Sequence, residues 1–300
     1  MGKVLMAALL CGLAVIRPSW AAEEKDVQIP HRGLTLNGHL MLANGKAIKD
    51  GVVLITHGTL AHGRMELMQA LQPALAERGF SSLALTLSLG VDKRVGMYDC
   101  AVPHRHRHVE AVDEIGSWVG WLKGQGAAKV AVLGHSRGGN QTALYALDRP
   151  DPVVSKVVLL APMTWNEADD KAQFQARHGK PMDKPLNEAR RLVKAGKAEG
   201  MMKGAGLLYC PGANASAASF TGYYEPDRRF HTPNLLARIK KPVLVVAAGA
   251  DEVVKGLPEA VKPLADGKKV SLVTVANSDH MFLDLAAEDA ADAVAKFLAQ

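Results

Sequence analysis

One serine in this chain has a setting suited to nucleophilic chemistry. Gly134-His135-Ser136-Arg137-Gly138 follows the apolar run 130–133 and precedes a helix-compatible run, 140–147. Strand, tight turn and helix, in that order, is the context in which a Gly-x-Ser-x-Gly pentapeptide projects its hydroxyl from the end of a sheet. The two glycines leave room where a Cβ would crowd the strand against the helix. The chain has 28 glycines, so the pentapeptide alone also fits an ordinary strand-to-helix turn. A serine hydroxyl is a poor nucleophile unless an imidazole takes its proton and a carboxylate orients that imidazole. Asp251 follows the apolar run 243–248 by a Gly-Ala step, and His280 follows the run 270–275 by Ala-Asn-Ser-Asp. Both stand just past the carboxyl end of an expected strand, where Ser136 also emerges. Their order along the chain, Ser, Asp, His, is the order that accompanies this serine turn. Glu252 is the alternative acid, one residue farther from its strand. Asp279, beside His280, reads as a turn former.

The elements that must position these residues alternate along the chain. Residues 27–43 alternate apolar and polar around Asn37-Gly38, which predicts an antiparallel hairpin at a sheet edge, turning at that pair. Residues 51–56 form a continuous β-branched run, as in a strand buried on both faces, and end at His57-Gly58-Thr59. Helices are expected over 65–78, 109–122, 257–264 and 283–298, and strands over 82–87, 129–133, 153–160, 243–248 and 270–275. Residues 88–104 read as a long irregular loop. From 163 to 232 no apolar strand appears, only two short amphipathic helical stretches at 172–177 and 186–195 among Gly, Pro, Asn and charged residues. The expected architecture is α/β: a mostly parallel sheet with helices on both faces. Its core spans 22–162 and 233–300, and 163–232 is an insertion forming a small lid over the carboxyl edge.

With the residues in place, a resemblance is evident. Gly134-His135-Ser136-Arg137-Gly138, His57-Gly58, Gly249-Ala250-Asp251 and Ser278-Asp279-His280 together resemble α/β-hydrolase-fold proteins of the esterase, lipase and serine-aminopeptidase type, over about residues 27–299. The resemblance implies hydrolysis through an acyl-enzyme on Ser136 and requires no cofactor. It implies an oxyanion hole made by the amide of Arg137, at a helix N-terminus, and by Thr59, with Leu60 next. It gives His57 the part of a loop-holding hydrogen-bonder rather than a base. The triad leaves ester, thioester and amide open. A carboxylesterase is the leading expectation, a peptidase the alternative, and a non-catalytic binding protein on the same fold a third.

Lys3, the apolar run 4–16, Arg17-Pro18 and Ser19-Trp20-Ala21 read as a secretory signal peptide cleaved after Ala21, making the mature protein periplasmic or secreted. The run is short for a membrane span, and no other stretch is apolar enough to be one. Losing Lys3 and Arg17 lowers the formal charge from +6 to +4. That mild basicity, without a recognition motif, gives no reason to expect nucleic acid as partner; a small acyl compound is expected instead. Oligomeric state is open. Cys100 and Cys210 remain after cleavage and form a candidate disulfide in an oxidising compartment. In Pro103-His104-Arg105-His106-Arg107-His108, the alternate histidines admit a metal reading, which the intervening arginines and the lack of an acidic ligand oppose. No metal is assigned. The run reads as a basic loop, with Arg105, Arg107 and His135 as candidates to face substrate. Arg137 meets either a substrate carboxylate or an acid of the lid.

Overall fold

The computed structural model describes residues 22–300, so the expected signal peptide at 1–21 lies outside the described residues. Eight strands form one sheet: β1 (Glu23–His31), β2 (Leu34–Leu42), β3 (Val52–Thr56), β4 (Ser82–Thr86), β5 (Val130–His135), β6 (Val154–Leu160), β9 (Val243–Ala248) and β10 (Val270–Val275). Their spatial order is β1-β2-β4-β3-β5-β6-β9-β10. β2 runs antiparallel to both β1 and β4, and every other pairing is parallel. β3, β5 and β9 are buried at every position, which is why their sequences are unbroken apolar runs rather than alternating ones.

Each strand sends alternate side chains to opposite faces. Leu54, Val132, Leu159 and Val245 join one apolar cluster with Ile115 and Trp118 of α2 (Glu110–Gly124) and Leu144 of α3 (Arg137–Asp148). Ile55, Leu133, Val158 and Val246 join the other, with Leu71 and Leu75 of α1 (Glu66–Glu77) and Val294 and Phe297 of α9 (Leu285–Ala299). This is an α/β-hydrolase arrangement, and it brings the carboxyl ends of β3, β5, β6, β9 and β10 to one edge.

The hairpin is present, but its turn is not at Asn37-Gly38. It falls at Arg32-Gly33, both at positive φ (46° and 82°), as a two-residue primed turn requires. Gly38 sits inside β2, where a Cβ would lie 2.7 Å from the ring of Trp118, a fully buried side chain. Asn37 donates to the Arg94 carbonyl at 2.9 Å. The pair serves packing, not chain reversal.

Between β6 and α7 (Pro233–Leu236) the chain forms α4 (Glu167–His178), α5 (Asp183–Lys194), a ribbon of β7 (Met201–Met202) and β8 (Ala215–Ser216), and α6 (Ala217–Tyr224). Composition did not mark α6, which contains a glycine and three aromatics. It starts where Ser216 accepts a hydrogen bond from the Ser219 amide, and it is held by burial of Phe220, Tyr223 and Tyr224. Phe174, Leu186 and Phe220 of this segment belong to the same apolar cluster as α2 and α3. A disulfide joins Cys100 to Cys210, across 110 positions of sequence, and so fixes the loop before α2 to this segment. The remaining helix, α8 (Leu257–Val261), lies between β9 and β10. No helix among the described residues is long and apolar enough to cross a membrane.

Candidate active site

Ser136 occupies the turn between β5 and α3 at φ 57° and ψ −124°. A non-glycine residue there is strained and is held by its surroundings. Its amide donates to the Leu160 carbonyl at 2.9 Å, and its carbonyl accepts from the amides of Gly139 (2.9 Å) and Met163 (3.0 Å). The flanking glycines are sterically required. A Cβ on Gly134 would run into the Gly138 carbonyl and the Thr142 hydroxyl, and one on Gly138 into the carbonyls of Thr56 and His57. The turn thus sits wedged against the end of β3.

His280 Nε2 lies 2.9 Å from Ser136 Oγ, and His280 Nδ1 lies 2.8 Å from Asp251 Oδ2. With its proton on Nδ1, the imidazole donates to the carboxylate and accepts from the serine hydroxyl. The other Asp251 oxygen accepts from the amides of Val253 (2.7 Å) and Val254 (2.8 Å). Burial alone would raise the Asp251 carboxyl. The hydrogen bonds from His280 and those amides outweigh it and hold the group below the ordinary carboxylate value. Glu252, by contrast, is exposed and pairs with Lys255 at 2.7 Å. Asp279 accepts from the Met281 amide at 2.9 Å, which is turn geometry.

His135 does not line the cavity above Ser136. It is buried, donates from Nε2 to the His280 carbonyl at 2.8 Å, and burial pushes its imidazole down to about 3. A neutral ring therefore steadies the backbone of the histidine that meets the serine.

On the opposite side, Thr59 and Arg137 line the same cavity as Ser136. Neither amide N–H has an acceptor among the described residues. Two free amides beside a serine at a helix N-terminus can receive a developing oxyanion. The Thr59 loop is braced from behind. His57 Nδ1 donates to the Gly58 carbonyl at 2.8 Å, and His57 Nε2 accepts from the Leu87 amide at 3.0 Å and from Arg94 at 3.2 Å. Burial, then the charge of Arg94, keep His57 well below the ordinary histidine value, so it is a neutral strut.

Sequence reasoning missed Arg94. It lies in the irregular stretch after β4, is buried, and donates to three backbone carbonyls: Leu87 (2.7 Å), Gly96 (2.7 Å) and Ala61 (2.6 Å). Burial lowers its guanidinium to about 10, still charged at neutral pH. No local signal marks such a residue, because its partners come from separate segments.

The alternating His/Arg run is extended. His104 bridges to Ala215, which completes a strand-like pairing with the inserted segment. His104, His106 and His108 are all buried, the latter two against Tyr223 and Asn140, and the arginines between them are exposed. Arg105 reaches Glu199 at 3.5 Å and Arg107 reaches Glu110 at 2.8 Å, and neither lines the cavity. The expected substrate-facing role for these two arginines is not what the geometry offers. The histidines form hydrogen bonds instead: His104 Nδ1 to His106 Nε2 at 3.0 Å, His106 Nδ1 to the Tyr223 hydroxyl at 2.7 Å, and His108 Nε2 to Asn140 Oδ1 at 2.8 Å. Among the described residues no group of three or more His, Cys, Asp or Glu is placed to hold a metal ion.

The alpha/beta hydrolase family profile matches residues 52–297. The chain belongs to the alpha/beta hydrolase family. No curated protein matches it in sequence. Among solved structures, this alpha/beta hydrolase is similar to the ferulic-acid-bound form of Est1E from Butyrivibrio proteoclasticus: 20% identity over 91% of this chain and 98% of that one, TM-score 0.65. It is also similar to an esterase of Pyrococcus furiosus (19% identity, 93% and 91% covered, TM-score 0.58) and a monoacylglycerol lipase of Paleococcus ferrophilus (19%, 88% and 98%, TM-score 0.59). At these identities the likeness is one of fold. The hydrolase shares that fold with them across nearly its whole described length.

Proposed function

We propose that this alpha/beta hydrolase is an exported serine esterase that works through an acyl-enzyme on Ser136. The observation that most directly supports this is the unbroken hydrogen-bonded line from Ser136 Oγ through His280 to Asp251, at 2.9 and 2.8 Å. In the proposed reaction Ser136 Oγ attacks the ester carbonyl carbon while its proton moves to His280 Nε2. The resulting oxyanion accepts hydrogen bonds from the amides of Thr59 and Arg137. Collapse breaks the bond to the alcohol, which leaves with the proton held on His280. Water then gives a proton to His280, attacks the acyl carbon and releases the acid, and the proton returns to Ser136. Asp251 stays ionised and fixes the imidazole. No cofactor takes part.

Residues 163–232 act in this reading as a lid. Met163, Trp165, Tyr209 and Tyr223 line a cavity of about 680 Å³ over Ser136, together with Val253 and Lys255 from beyond β9. Export is supported by the signal-like pattern of residues 1–21 and by the Cys100–Cys210 bond, which persists in oxidising compartments.

The test is active-site labelling with a fluorophosphonate probe. The folded wild type labels, and Ser136→Ala abolishes labelling while far-UV circular dichroism and melting stay unchanged. A folded wild type that does not label, or a Ser136→Ala protein that does, rejects the reading. Comparing 4-nitrophenyl butyrate with alanine 4-nitroanilide then separates esterase from amidase.

A further inference from the structure

Arg137 carries a charge that no direct ion pair of its own protein meets. It is half-buried and lines the cavity beside Ser136. No carboxylate lies within 4 Å of it among the described residues, whereas Arg78, Arg149, Arg190 and Arg229 each meet one. Its partners are all neutral. Nε donates to Thr59 Oγ1 at 3.1 Å, Nη1 donates to His108 Nδ1 at 3.3 Å, and the guanidinium carbon lies 5.4 Å from the centre of the Tyr223 ring. A guanidinium has five N–H donors, so the other three are free for a ligand.

The neutral partners are themselves locked. His108 accepts at Nδ1 because its proton is on Nε2, where Asn140 Oδ1 takes it at 2.8 Å. Asn140 in turn donates to Thr232 Oγ1 at 3.0 Å. The Tyr223 hydroxyl is held by His106, and His106 by His104. Burial keeps all three histidines neutral, so none competes as a cation and none compensates Arg137. Buried polar scaffolding thus fixes the guanidinium and leaves its charge unpaired, an arrangement that is costly unless an anion completes it.

A second cation reinforces the first. Arg177 lines the same cavity, lies over the Tyr209 ring at 4.6 Å, donates to Gln173 at 3.1 Å, and also has no carboxylate within 4 Å among the described residues. Of the acids on the cavity wall, Glu252 is ion-paired with Lys255, while Asp169 accepts from the neutral Asn166 side chain and lies beyond 4 Å from either arginine. Asp170 accepts from Trp165 Nε1 at 3.3 Å; burial raises its carboxyl above the ordinary value, the Trp165 hydrogen bond and the charges of Arg137 and Arg177 oppose that rise, and it lies beyond 4 Å from either guanidinium.

We infer that Arg137 is the specificity residue of the site and that the preferred substrate is an ester bearing a carboxylate a few bonds from the scissile carbonyl. A planar two-oxygen anion suits the fork of free N–H donors. The inference rests on the serine-esterase reading above.

Matched ester pairs test it. 4-Nitrophenyl hemiadipate against 4-nitrophenyl hexanoate places the charge on the acyl side, and O-butyryl glycolate against ethyl butyrate places it on the alcohol side. In the wild type, kcat/KM favours the charged member of at least one pair by about tenfold or more. Arg137→Gln brings that ratio close to unity, whatever it does to absolute rates, and Arg137→Lys retains part of it. An independent reading needs no variant: raising ionic strength from about 20 to about 500 mM raises KM for the charged ester and not for its neutral partner. Ratios near unity for both pairs in the wild type, or a preference that survives Arg137→Gln, overturns the inference. A wild type that labels with fluorophosphonate but shows no preference leaves the esterase reading standing and removes only this one. A folded wild type that does not label removes both.

Discussion

Replacing Arg94 by methionine would test how the Thr59 loop is held. The substitution keeps an apolar stem of similar length and removes a guanidinium that donates to the carbonyls of Ala61, Leu87 and Gly96 and to His57. Each buried carbonyl left without a donor costs about 1–3 kcal/mol, so those of Ala61 and Leu87 together approach about 2–6 kcal/mol before relaxation, and the part-buried Gly96 carbonyl adds less. Two effects reduce this: the charge no longer has to be kept out of water, and the loosened loops admit water. A net loss of about 3–4 kcal/mol is expected, comparable to breaking other buried charged contacts. For a chain of this size that corresponds to a fall in Tm of roughly 6–15 °C. The effect should also reach catalysis. Ala61 and His57 flank Thr59, whose amide is half of the proposed oxyanion hole. Removing one such donor costs about 10²–10³ in kcat, and loosening it should cost about tenfold with little change in KM. The assay is urea unfolding at neutral pH beside steady-state hydrolysis of 4-nitrophenyl butyrate, with Arg94→Lys as a partial rescue. Unfolding within about 0.5 kcal/mol of wild type, or a rate loss confined to KM, would refute the reasoning.

Gly138→Ala should lower stability by about 3 kcal/mol or prevent folding, because its Cβ meets backbone carbonyls of β3 and His57 rather than flexible side chains; melting of the purified variant checks this. Removing the Cys100–Cys210 bond, by a double alanine variant or by reductant, should cost about 2–4 kcal/mol in urea unfolding, since a closed loop of that length restrains the unfolded chain by up to about 4.7 kcal/mol. Equal midpoints with and without reductant would contradict it. Stability should also fall in mild acid. Burial holds folded His104 at about 4 and His108 at about 3, against 6.5 when exposed. As pH drops below about 6.5 the unfolded chain takes up protons that the folded one refuses. The stability is therefore complete above that pH and erodes as pH falls toward the folded values, by about 2 kcal/mol at pH 5.5. Urea midpoints at pH 7 and 5.5 that coincide would count against buried neutral histidines.

What could be read from the sequence was whatever depends on neighbours along the chain. The run at 243–248 is a strand with those bounds because a central parallel strand needs apolar residues on both faces, and 270–275, with Ser271 and Thr274 breaking its apolar run, is the edge strand paired beside it. The serine turn was legible because its steric demand falls on Gly134 and Gly138, two residues away on either side. What was hidden depends on partners far along the chain. Asn37-Gly38 carries a strong turn signal, yet Trp118, eighty residues later, claims the space above Gly38. The alternation of His104, His106 and His108 was visible, but which alternate set is buried depends on distant partners: Ala215 for His104, Tyr223 for His106 and Asn140 for His108. Arg94 looked like any loop cation, and for Arg137 the sequence left a substrate carboxylate and a lid acid equally open.

The Cys100–Cys210 bond also gives the molecule a covalent topology that its fold alone does not have. It closes residues 100–210 into a ring that contains Ser136 and Arg137, while Thr59 lies on one tail and Asp251 and His280 on the other. A backbone cut anywhere on that ring leaves a single covalent molecule. A pull on the two ends of the chain passes through sulfur and bypasses the ring, so the length stored there, roughly 3.6 Å per residue when extended, is hidden from the force. Under tension the tails would be drawn off first. The base would leave its serine while the segment that shapes the serine stayed wound.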